Sequence, residues 1–408
     1  MIETNSQPQN DPIPFAGRHL IYTRLQQHIL DPIDHHAVVF SGHDGMGKTA
    51  MLRHVESLFR DPILAVYVPL SDTPNTDAVF QAIIAGINQL LEEYQFSLSR
   101  VPNINPESDI DLATWFDEIY LKEIASIIRP HRRITFLLDD MEQLLTFEGE
   151  FVSYLQTLLE KHPQLTIIGT LSTVYDDKLL DLQPLIDPVK AERIGRLGEE
   201  DAKGLMLQHA SGVNDDIIKN IFRATGGHPQ LLNYFGTIFQ HHRADNNDSS
   251  AFERAKPDVY AKAKDDFRQI WLKLSRDERL VLTGIASLIY DNPSQVVTAK
   301  AIEQWLIETD YAMDIVAINA ALRGLDYQDI VSQKQSDGIH LTMGLMQQWL
   351  LEQARLDESM EVIKRGRIPL WMIALGAIVI IAIIILLISI PPQYLDNSSV
   401  IPTATLRP

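Results

Sequence analysis

Apolar positions along the first half of the chain recur in two rhythms that predict alternating strands and helices. Five segments bounded by turn residues have strand length, at 37–41, 63–70, 134–139, 165–172 and 191–197. The middle three are almost continuously apolar, as in strands covered on both faces. Helical periodicity lies between them, after Lys48 and at 79–94 and 151–162. The pattern predicts an α/β fold, with a parallel sheet flanked by helices.

The strand pattern stops near residue 198, and the second half of the chain is predicted to be mainly helical. Residues 198–265 have the pattern of short helices separated by polar turns, and residues 267–352 that of further helices with one short hairpin. A polar segment at 353–367, which is basic at its end, then leads to a long segment without charged residues.

Residues 368–390 contain no charged side chain, which predicts one transmembrane helix. At about 1.5 Å per residue, such a helix would span roughly 30 Å, the thickness of the hydrocarbon layer. The alternative is a helix buried in a protein core. Lys364, Arg365 and Arg367 precede the span, whereas the tail 391–408 has a single basic residue. The positive-inside rule predicts a single-pass protein of the cell membrane, with cytoplasmic N-terminal domains and the C-terminus outside.

Overall charge and cysteine content limit the function classes. The formal net charge is −19, so a general affinity for nucleic acids is not expected. The chain has no cysteine, which excludes disulfides, thiolate nucleophiles and cysteine zinc sites. The absence of cysteine suits a reducing compartment.

The segment "GHDGMGKT" fits the phosphate-loop pattern G-x-x-x-x-G-K-[ST] between a predicted strand and a predicted helix. Glycine lets backbone N–H groups turn inward around a phosphate, and the helix N-terminus adds positive potential. The residues predicted to contact the nucleotide here are Gly42, His43, Asp44, Gly45, Met46, Gly47, Lys48 and Thr49. Lys48 would reach the β- and γ-phosphates, and Thr49 would bind Mg²⁺. The alternative is a glycine-rich turn that matches by chance.

A carboxylate pair, Asp139 and Asp140, ends the apolar segment 134–139. Asp139 would hold Mg²⁺ together with Thr49, directly or through water. Asp140 would orient the attacking water, so that Lys48 and Asp140 are the predicted catalytic residues. In isolation, such a pair is as well explained by a turn.

One further strand, 63–70, separates the two motifs along the chain. This order is typical of the P-loop class in which 165–172 is inserted in space between the phosphate-loop strand and the acidic strand. Thr170 and Ser172 would then face the γ-phosphate, although strand-end polarity alone also explains them. No guanine-reading N-K-x-D motif is visible, so ATP is favoured over GTP.

With these motifs, the chain resembles the AAA+/STAND group of P-loop ATPases, in its origin-recognition-like and archaeal-ATPase-like branches. "PFAGRHLIYTRL" resembles the box that borders the adenine, which implies roles for Phe15, Gly17 and Arg18. "ATGGHPQLL" resembles the lid element that approaches the base, which implies roles for Gly227 and Pro229. The resemblance covers about residues 12–350. It implies a nucleotide-binding domain at 12–197 and a helical lid domain at 198–265.

Two departures from that group indicate slow hydrolysis. Asp140 stands where many members have glutamate, and its shorter side chain is expected to activate water less well. Arg193 and Arg196 lie near the fifth strand, but we expect them to be solvated surface residues and not arginine fingers. Slow turnover suits a switch better than a motor.

Residues 267–352 resemble the winged-helix domain that follows the lid in this group. Winged helices that bind DNA need concentrated positive charge, whereas this segment has seven basic and eleven acidic residues. DNA is therefore not an expected partner. A packing or protein-contact role that closes the nucleotide site in one state is favoured.

The working hypothesis is a membrane-anchored signalling switch that binds ATP or ADP with Mg²⁺. Nucleotide-dependent change would alter self-association, with a homo-oligomer and an unidentified protein as possible partners. One alternative is a membrane-tethered DNA-binding regulator or replication-type ATPase. Another is a scaffold whose nucleotide is structural and is never hydrolysed.

Overall fold

The structure is a computed structural model of the 408-residue chain. It describes residues 16–30, 37–58, 63–103, 110–128, 132–147, 150–173, 180–187, 191–243, 247–291, 296–334 and 338–353. Phe15, the connector after residue 353, the predicted span 368–390 and the tail lie outside the described residues. Within the described ranges, every helix is too short or too polar to cross a bilayer.

A five-stranded parallel sheet forms the centre of the first half. Its strands are β1 (Val38–Gly42), β2 (Ile63–Pro69), β3 (Arg133–Asp139), β4 (Leu165–Ser172) and β5 (Glu192–Arg193). They lie in the order β2-β3-β4-β1-β5, and all neighbouring pairs are parallel. The predicted insertion of 165–172 between the phosphate-loop strand and the acidic strand is confirmed, because β4 pairs with both β1 and β3.

Helices cover both faces of this sheet. They are α1 (His19–Leu30), α2 (Lys48–Leu58), α3 (Thr76–Glu93), α4 (Leu112–Trp115), α5 (Leu121–Ile127) and α6 (Phe151–Lys161), with a π-helical turn joining α4 to α5. One core cluster packs α1 and α2 against Phe40, Leu137 and Ile168. The other packs α3 to α6 against the side chains of the opposite face. Burial on both faces explains why the strands are nearly continuous apolar runs.

The predicted fifth strand, 191–197, is much shorter than expected. Only Glu192 and Arg193 pair with β1, and the chain then turns away from the sheet. The Gly195 carbonyl accepts a hydrogen bond from Arg18, and the Leu197 amide donates to the Gly227 carbonyl at 2.9 Å. These bonds outside the sheet replace the ladder bonds that a longer strand would make.

The second half is helical apart from one hairpin. It comprises α7 (Glu199–His209), α8 (Asp215–Thr225), α9 (Pro229–His242), α10 (Asp248–Lys273), α11 (Arg276–Asp291), α12 (Ala299–Glu308), α13 (Ile315–Tyr327), the antiparallel strands β6 (Val331–Lys334) and β7 (Gly338–Leu341), and α14 (Gly344–Gln353). A single hydrophobic cluster extends from Leu197 to Leu350 through these elements.

The prediction of only short helices at 198–265 is wrong for α10, which has 26 residues and contains Pro257. Buried side chains recur at every fourth position on its inner face: Ala251, Ala255, Val259, Ala263, Phe267 and Trp271. This continuous stripe keeps the helix packed across the proline, whose missing N–H would otherwise favour a break. α10 also runs past residue 265, where the lid was predicted to end.

Candidate functional site

The loop between β1 and α2 has the backbone that the glycine pattern requires. Gly45 and Gly47 adopt left-handed conformations, with φ of 75° and 85°. A Cβ atom on Gly45 would lie 2.2 Å from the Gln230 side-chain oxygen, so the position also lacks room for a side chain. The same segment contains the other predicted loop residues, Gly42, His43, Asp44 and Met46. It leads directly into Lys48, the first residue of α2.

Lys48 points into this loop and is only 8% exposed. Its Nζ donates to the Gly42 carbonyl at 2.9 Å and to the His43 carbonyl at 3.2 Å. The Asp44 carboxylate lies 4.0 Å away. The ammonium group is thus held by loop carbonyls at the place where a phosphate group would need it.

Asp139, at the end of β3, is 4% exposed and is surrounded by hydroxyl groups from three elements. Thr49 Oγ1 donates to Oδ2 at 2.7 Å, Tyr67 Oη donates to the same oxygen at 2.8 Å, and Thr170 Oγ1 donates to Oδ1. The structure therefore brings together Thr49 and Asp139, the predicted Mg²⁺ ligands, and places beside them Thr170, which was predicted to face the γ-phosphate. Tyr67 was not predicted.

The residues around Asp139 fit a magnesium ion. Within the described ranges no basic side chain forms an ion pair with this buried carboxylate, and neutral hydroxyls do not cancel its charge. Those ranges also contain no cluster of three His, Asp or Glu side chains that could hold a metal by themselves. One carboxylate and one hydroxyl suit Mg²⁺, which usually takes few protein ligands and completes its shell with water and phosphate oxygens.

Asp140 has a left-handed backbone, with φ of 59°, a conformation in which aspartate is enriched. Its amide donates to Thr170 Oγ1 at 3.0 Å, which fixes the turn beside Asp139. Burial and the neighbouring Asp139 raise the pKa of the Asp140 carboxyl group. A raised pKa improves a carboxylate as a base, so the environment suits the predicted role in activating water.

Glu142 is a third carboxylate at this edge, and the sequence analysis missed it. It is 9% exposed, and burial raises its pKa. The Ser172 amide lies 3.4 Å from Oε2. In "LLDDMEQL", Glu142 follows Asp140 by two positions and Asp139 by three. A glutamate after a strand is, however, most often a solvated turn residue.

Arg18, in the predicted adenine-bordering box, connects two parts of the site. Arg18 and Gly17 both have positive φ, 65° and 80°. The guanidinium donates to the Met46 carbonyl at 2.9 Å and to the Gly195 carbonyl at 2.8 Å. Burial lowers the pKa of Arg18. The side chain ties the phosphate loop to the segment after β5.

The predicted lid element packs directly on the phosphate loop. The Gln230 amide donates to the Gly45 carbonyl at 3.2 Å, and Pro229 approaches Gly47. Gly227 has φ of 76° and accepts the bond from Leu197 described above. His228, between the two predicted residues, is 4% exposed, and burial lowers its pKa to about 4.

Residues beyond α9 also reach the loop, through side chains that were not singled out from the sequence. Lys273, the last residue of α10, forms an ion pair with Asp44. The Tyr327 ring meets the His43 ring edge-on, with centroids 6.5 Å apart. A cavity of about 470 Å³ lies between the loop, the α9–α10 region and the segment after α13.

Arg193 and Arg196 were expected to be solvated surface residues; Arg193 is exposed and Arg196 half-buried, but both have partners that were not predicted. Arg193 stacks on the Tyr327 ring, 4.0 Å from its centroid, and lies 3.4 Å from the Asp329 carboxylate. Arg196 lies 3.5 Å from the same carboxylate and donates to the Gly226 carbonyl at 3.0 Å. Both arginines join the sheet domain to the segment after α13.

Comparison with known proteins identifies the fold. No protein-family model and no curated protein matches the sequence. A Walker-type ATPase of Pyrococcus abyssi superposes with a TM-score of 0.58 at 12% identity, covering 85% of this chain and 99% of that chain. The ORC2 protein of Aeropyrum pernix, solved as ADPNP–ADP complexes, superposes with a TM-score of 0.52 at 13% identity, covering 85% and 96%. At these identities the likeness shows the fold: the chain shares with these two ATPase structures an α/β fold built on a parallel sheet flanked by helices.

Proposed function

We propose that this protein is an ATP-binding, slowly hydrolysing switch of the AAA+/STAND type that is anchored in a membrane. The observation that carries the proposal is the meeting of Lys48, Thr49, Asp139, Asp140 and Thr170 at one edge of the sheet. A glycine-rich loop, a buried lysine and a hydroxyl-bound carboxylate together match the needs of a triphosphate with its metal.

Each side chain has a distinct role in this proposal. The loop amides and Lys48 would bind phosphate oxygens, and the Lys48 ammonium would exchange its carbonyl partners for them. Thr49 and Asp139 would hold Mg²⁺, which neutralises phosphate charge when bound. Asp140, whose pKa is raised by burial and by Asp139, would accept a proton from the attacking water. Thr170 would keep the two carboxylates in register.

The proposal of slow hydrolysis rests on the arginines near the loop. Arg18 is bound to two carbonyl groups, and Arg193 and Arg196 face Asp329. None of these three is placed to stabilise charge on a γ-phosphate without giving up its present partners. Because all three arginines already have partners, the proposal assigns none of them to the γ-phosphate, which favours a slowly hydrolysing switch over a motor.

The switch would act through the contacts on the phosphate loop. The lid element, Lys273 and Tyr327 all touch residues 43–47. A nucleotide that reshapes this loop would alter those contacts and thus the position of residues 267–353. The membrane anchor, the cytoplasmic placement and the change in self-association remain proposals from the sequence of 353–408 and from the resemblance.

The test uses the full chain in detergent, with binding of a fluorescent ATP analogue and phosphate release as readouts. We expect wild type to bind in the presence of Mg²⁺, and Lys48→Ala to bind ~10-fold or more weakly, the loss typical of a charged hydrogen bond. Asp140→Asn should bind normally but hydrolyse ~10²-fold or more slowly. Wild-type affinity in Lys48→Ala would refute the site.

A further inference from the structure

Tyr67 reaches the predicted metal carboxylate from the edge strand β2. In the register of β2 and β3 it lies opposite Leu137, two positions before the pair formed by Pro69 and Asp139. Its side chain extends along the sheet so that Oη donates to Asp139 Oδ2 at 2.8 Å. An ionised carboxylate oxygen can only accept, so the phenol is the donor in this contact.

The hydroxyl groups around Asp139 occupy most of its acceptor sites. A carboxylate offers about four lone-pair directions, two on each oxygen. Thr49 and Tyr67 use both on Oδ2, and Thr170 uses one on Oδ1. If Thr49 turns its hydroxyl to a metal ion, Oδ2 regains one acceptor direction while Tyr67 still holds it. Tyr67 and Thr170 then fix the carboxylate plane from opposite oxygens.

Arg53 holds the Tyr67 ring in place. Its guanidinium carbon lies 3.4 Å from the ring centroid. Arg53 is one turn after Thr49 on the same face of α2. This helix therefore carries one donor to Oδ2, Thr49, and packs a cation on the other, Tyr67. The Tyr67 ring is thus packed beneath a cation from α2, while its hydroxyl is fixed on β3. Because both its ring and its hydroxyl are in contact, the Tyr67 side chain has less rotational freedom than an exposed tyrosine.

We propose that Tyr67 is a positioning residue for the metal-binding carboxylate. It sets which Asp139 lone pair faces the cation, and thereby the Mg²⁺ concentration at which the protein binds ATP tightly. The inference rests on the proposed function, because it assigns the metal to Asp139. Removing a residue that hydrogen-bonds to a metal ligand typically lowers metal affinity about 10–100-fold.

The test is a Mg²⁺ titration of Tyr67→Phe in the full chain, read from the fluorescence of a bound ATP analogue. We expect the Mg²⁺ midpoint to rise about 10-fold or more. Affinity for the analogue in EDTA should stay at the wild-type value, because the phosphate loop is unchanged. A general structural defect would instead weaken binding with and without Mg²⁺.

Tyr120→Phe is the matched control, since its hydroxyl is also hydrogen-bonded, to Asn88 at 2.7 Å, in the same domain but away from the site. It should keep the wild-type midpoint. If Tyr67→Phe does not fold, Tyr67→Leu, which keeps an apolar edge-strand residue without a donor, takes its place with the same expected shift.

The outcomes separate the two proposals. An unchanged midpoint in a folded Tyr67 variant would overturn the positioning role and leave the nucleotide site intact. A wild-type protein that binds no ATP with or without Mg²⁺ would overturn both, whereas ATP binding that does not respond to Mg²⁺ would overturn the metal assignment and with it the positioning role. A loss of affinity in EDTA equal to the loss in Mg²⁺ would show that Tyr67 acts on the fold and not on the metal.

Discussion

Lys273 and Asp44 are 229 positions apart in the chain, yet their side chains form an ion pair at the phosphate loop. Lys273 is the last residue of α10, whose inner face is buried in the helical core. Asp44 is the third residue of the loop pattern. The ion pair therefore links the phosphate loop to the end of the longest helix among the described residues.

We predict that Lys273→Gln accelerates release of bound nucleotide with little effect on stability. Both side chains are exposed by more than two-fifths, and ion pairs of that kind contribute ~1 kcal/mol or less. Release should therefore be faster by up to about fivefold, the factor that ~1 kcal/mol represents. Stopped-flow displacement of a fluorescent nucleotide measures the rate.

Arg268→Gln is the control, because Arg268 is an exposed basic residue of the same helix. It should leave the release rate unchanged. Equal rates in Lys273→Gln and wild type, at low and at high salt, would contradict a role for the ion pair in holding the loop.

Asp140→Asn should stabilise the metal-free protein at neutral and alkaline pH. The folded-state pKa of Asp140 is raised by burial and by Asp139, so folding favours its protonated form. The associated stability is present at low pH and is lost as pH rises through the folded pKa. Removing the charge should raise the melting temperature at pH 8, and the gain should shrink as pH falls toward 4.

Thermal unfolding in EDTA from pH 4 to pH 8 measures this difference. Asp72→Asn, at an exposed acid nearby, controls for the change in net charge and should show no such gain. A variant that melts below wild type at pH 8 would show that the Asp140 carboxylate is stabilising in the folded protein.

The sequence indicated the centre of the site because the geometry there is local. Lys48 and Thr49 are fixed by the loop and the first turn of α2, and Asp139 by the end of an apolar strand. Thr170 followed from the strand order, since β4 lies between β1 and β3. These positions need only the phosphate-loop pattern and the rule that parallel strands end at the same edge.

The contacts around this centre could not be predicted because they join distant segments without a motif. Tyr67 is 72 positions from Asp139, and a tyrosine in a strand is ordinarily a packing residue. The contacts of Arg193 and Arg196 were not predicted, because their shared partner Asp329 is over 130 positions away. Charge partners of this kind depend on how the helical half packs on the sheet, which periodicity does not specify.

Gly45→Ala should be strongly destabilising, because two constraints meet at this position. Its φ of 75° is unfavourable for alanine, and a Cβ atom would lie 2.2 Å from the Gln230 side chain and 2.5 Å from His228 Cε1. Backbone strain alone costs ~1–3 kcal/mol, and displacement of the lid element adds to it. Urea denaturation should show the loss.

Gly198→Ala provides the contrast, since Gly198 has φ of −68° and nothing lies within 4 Å of a Cβ atom there. Because Gly198 is the N-cap of α7, where alanine is disfavoured, we expect a loss of about 1 kcal/mol or less at that position. Equal stabilities of the two variants would mean that the lid element does not rest on the loop in solution.

His228 should make the fold sensitive to acid. Burial lowers its folded-state pKa to about 4, against 6.5 for an ordinary histidine, although a hydrogen bond to the Asp44 backbone partly opposes the shift. The unfolded chain therefore binds this proton first as pH falls. The stability that His228 contributes is full above pH 6.5 and is lost between pH 6.5 and about 4, at roughly 1.4 kcal/mol per pH unit. His228→Gln cannot be protonated, so its unfolding free energy should fall less steeply over that window.

His241→Gln, at an exposed histidine of α9, should keep the wild-type slope. Denaturant unfolding at half-unit pH steps measures the slopes, and parallel curves for wild type and His228→Gln would show that folding does not lower the pKa of His228.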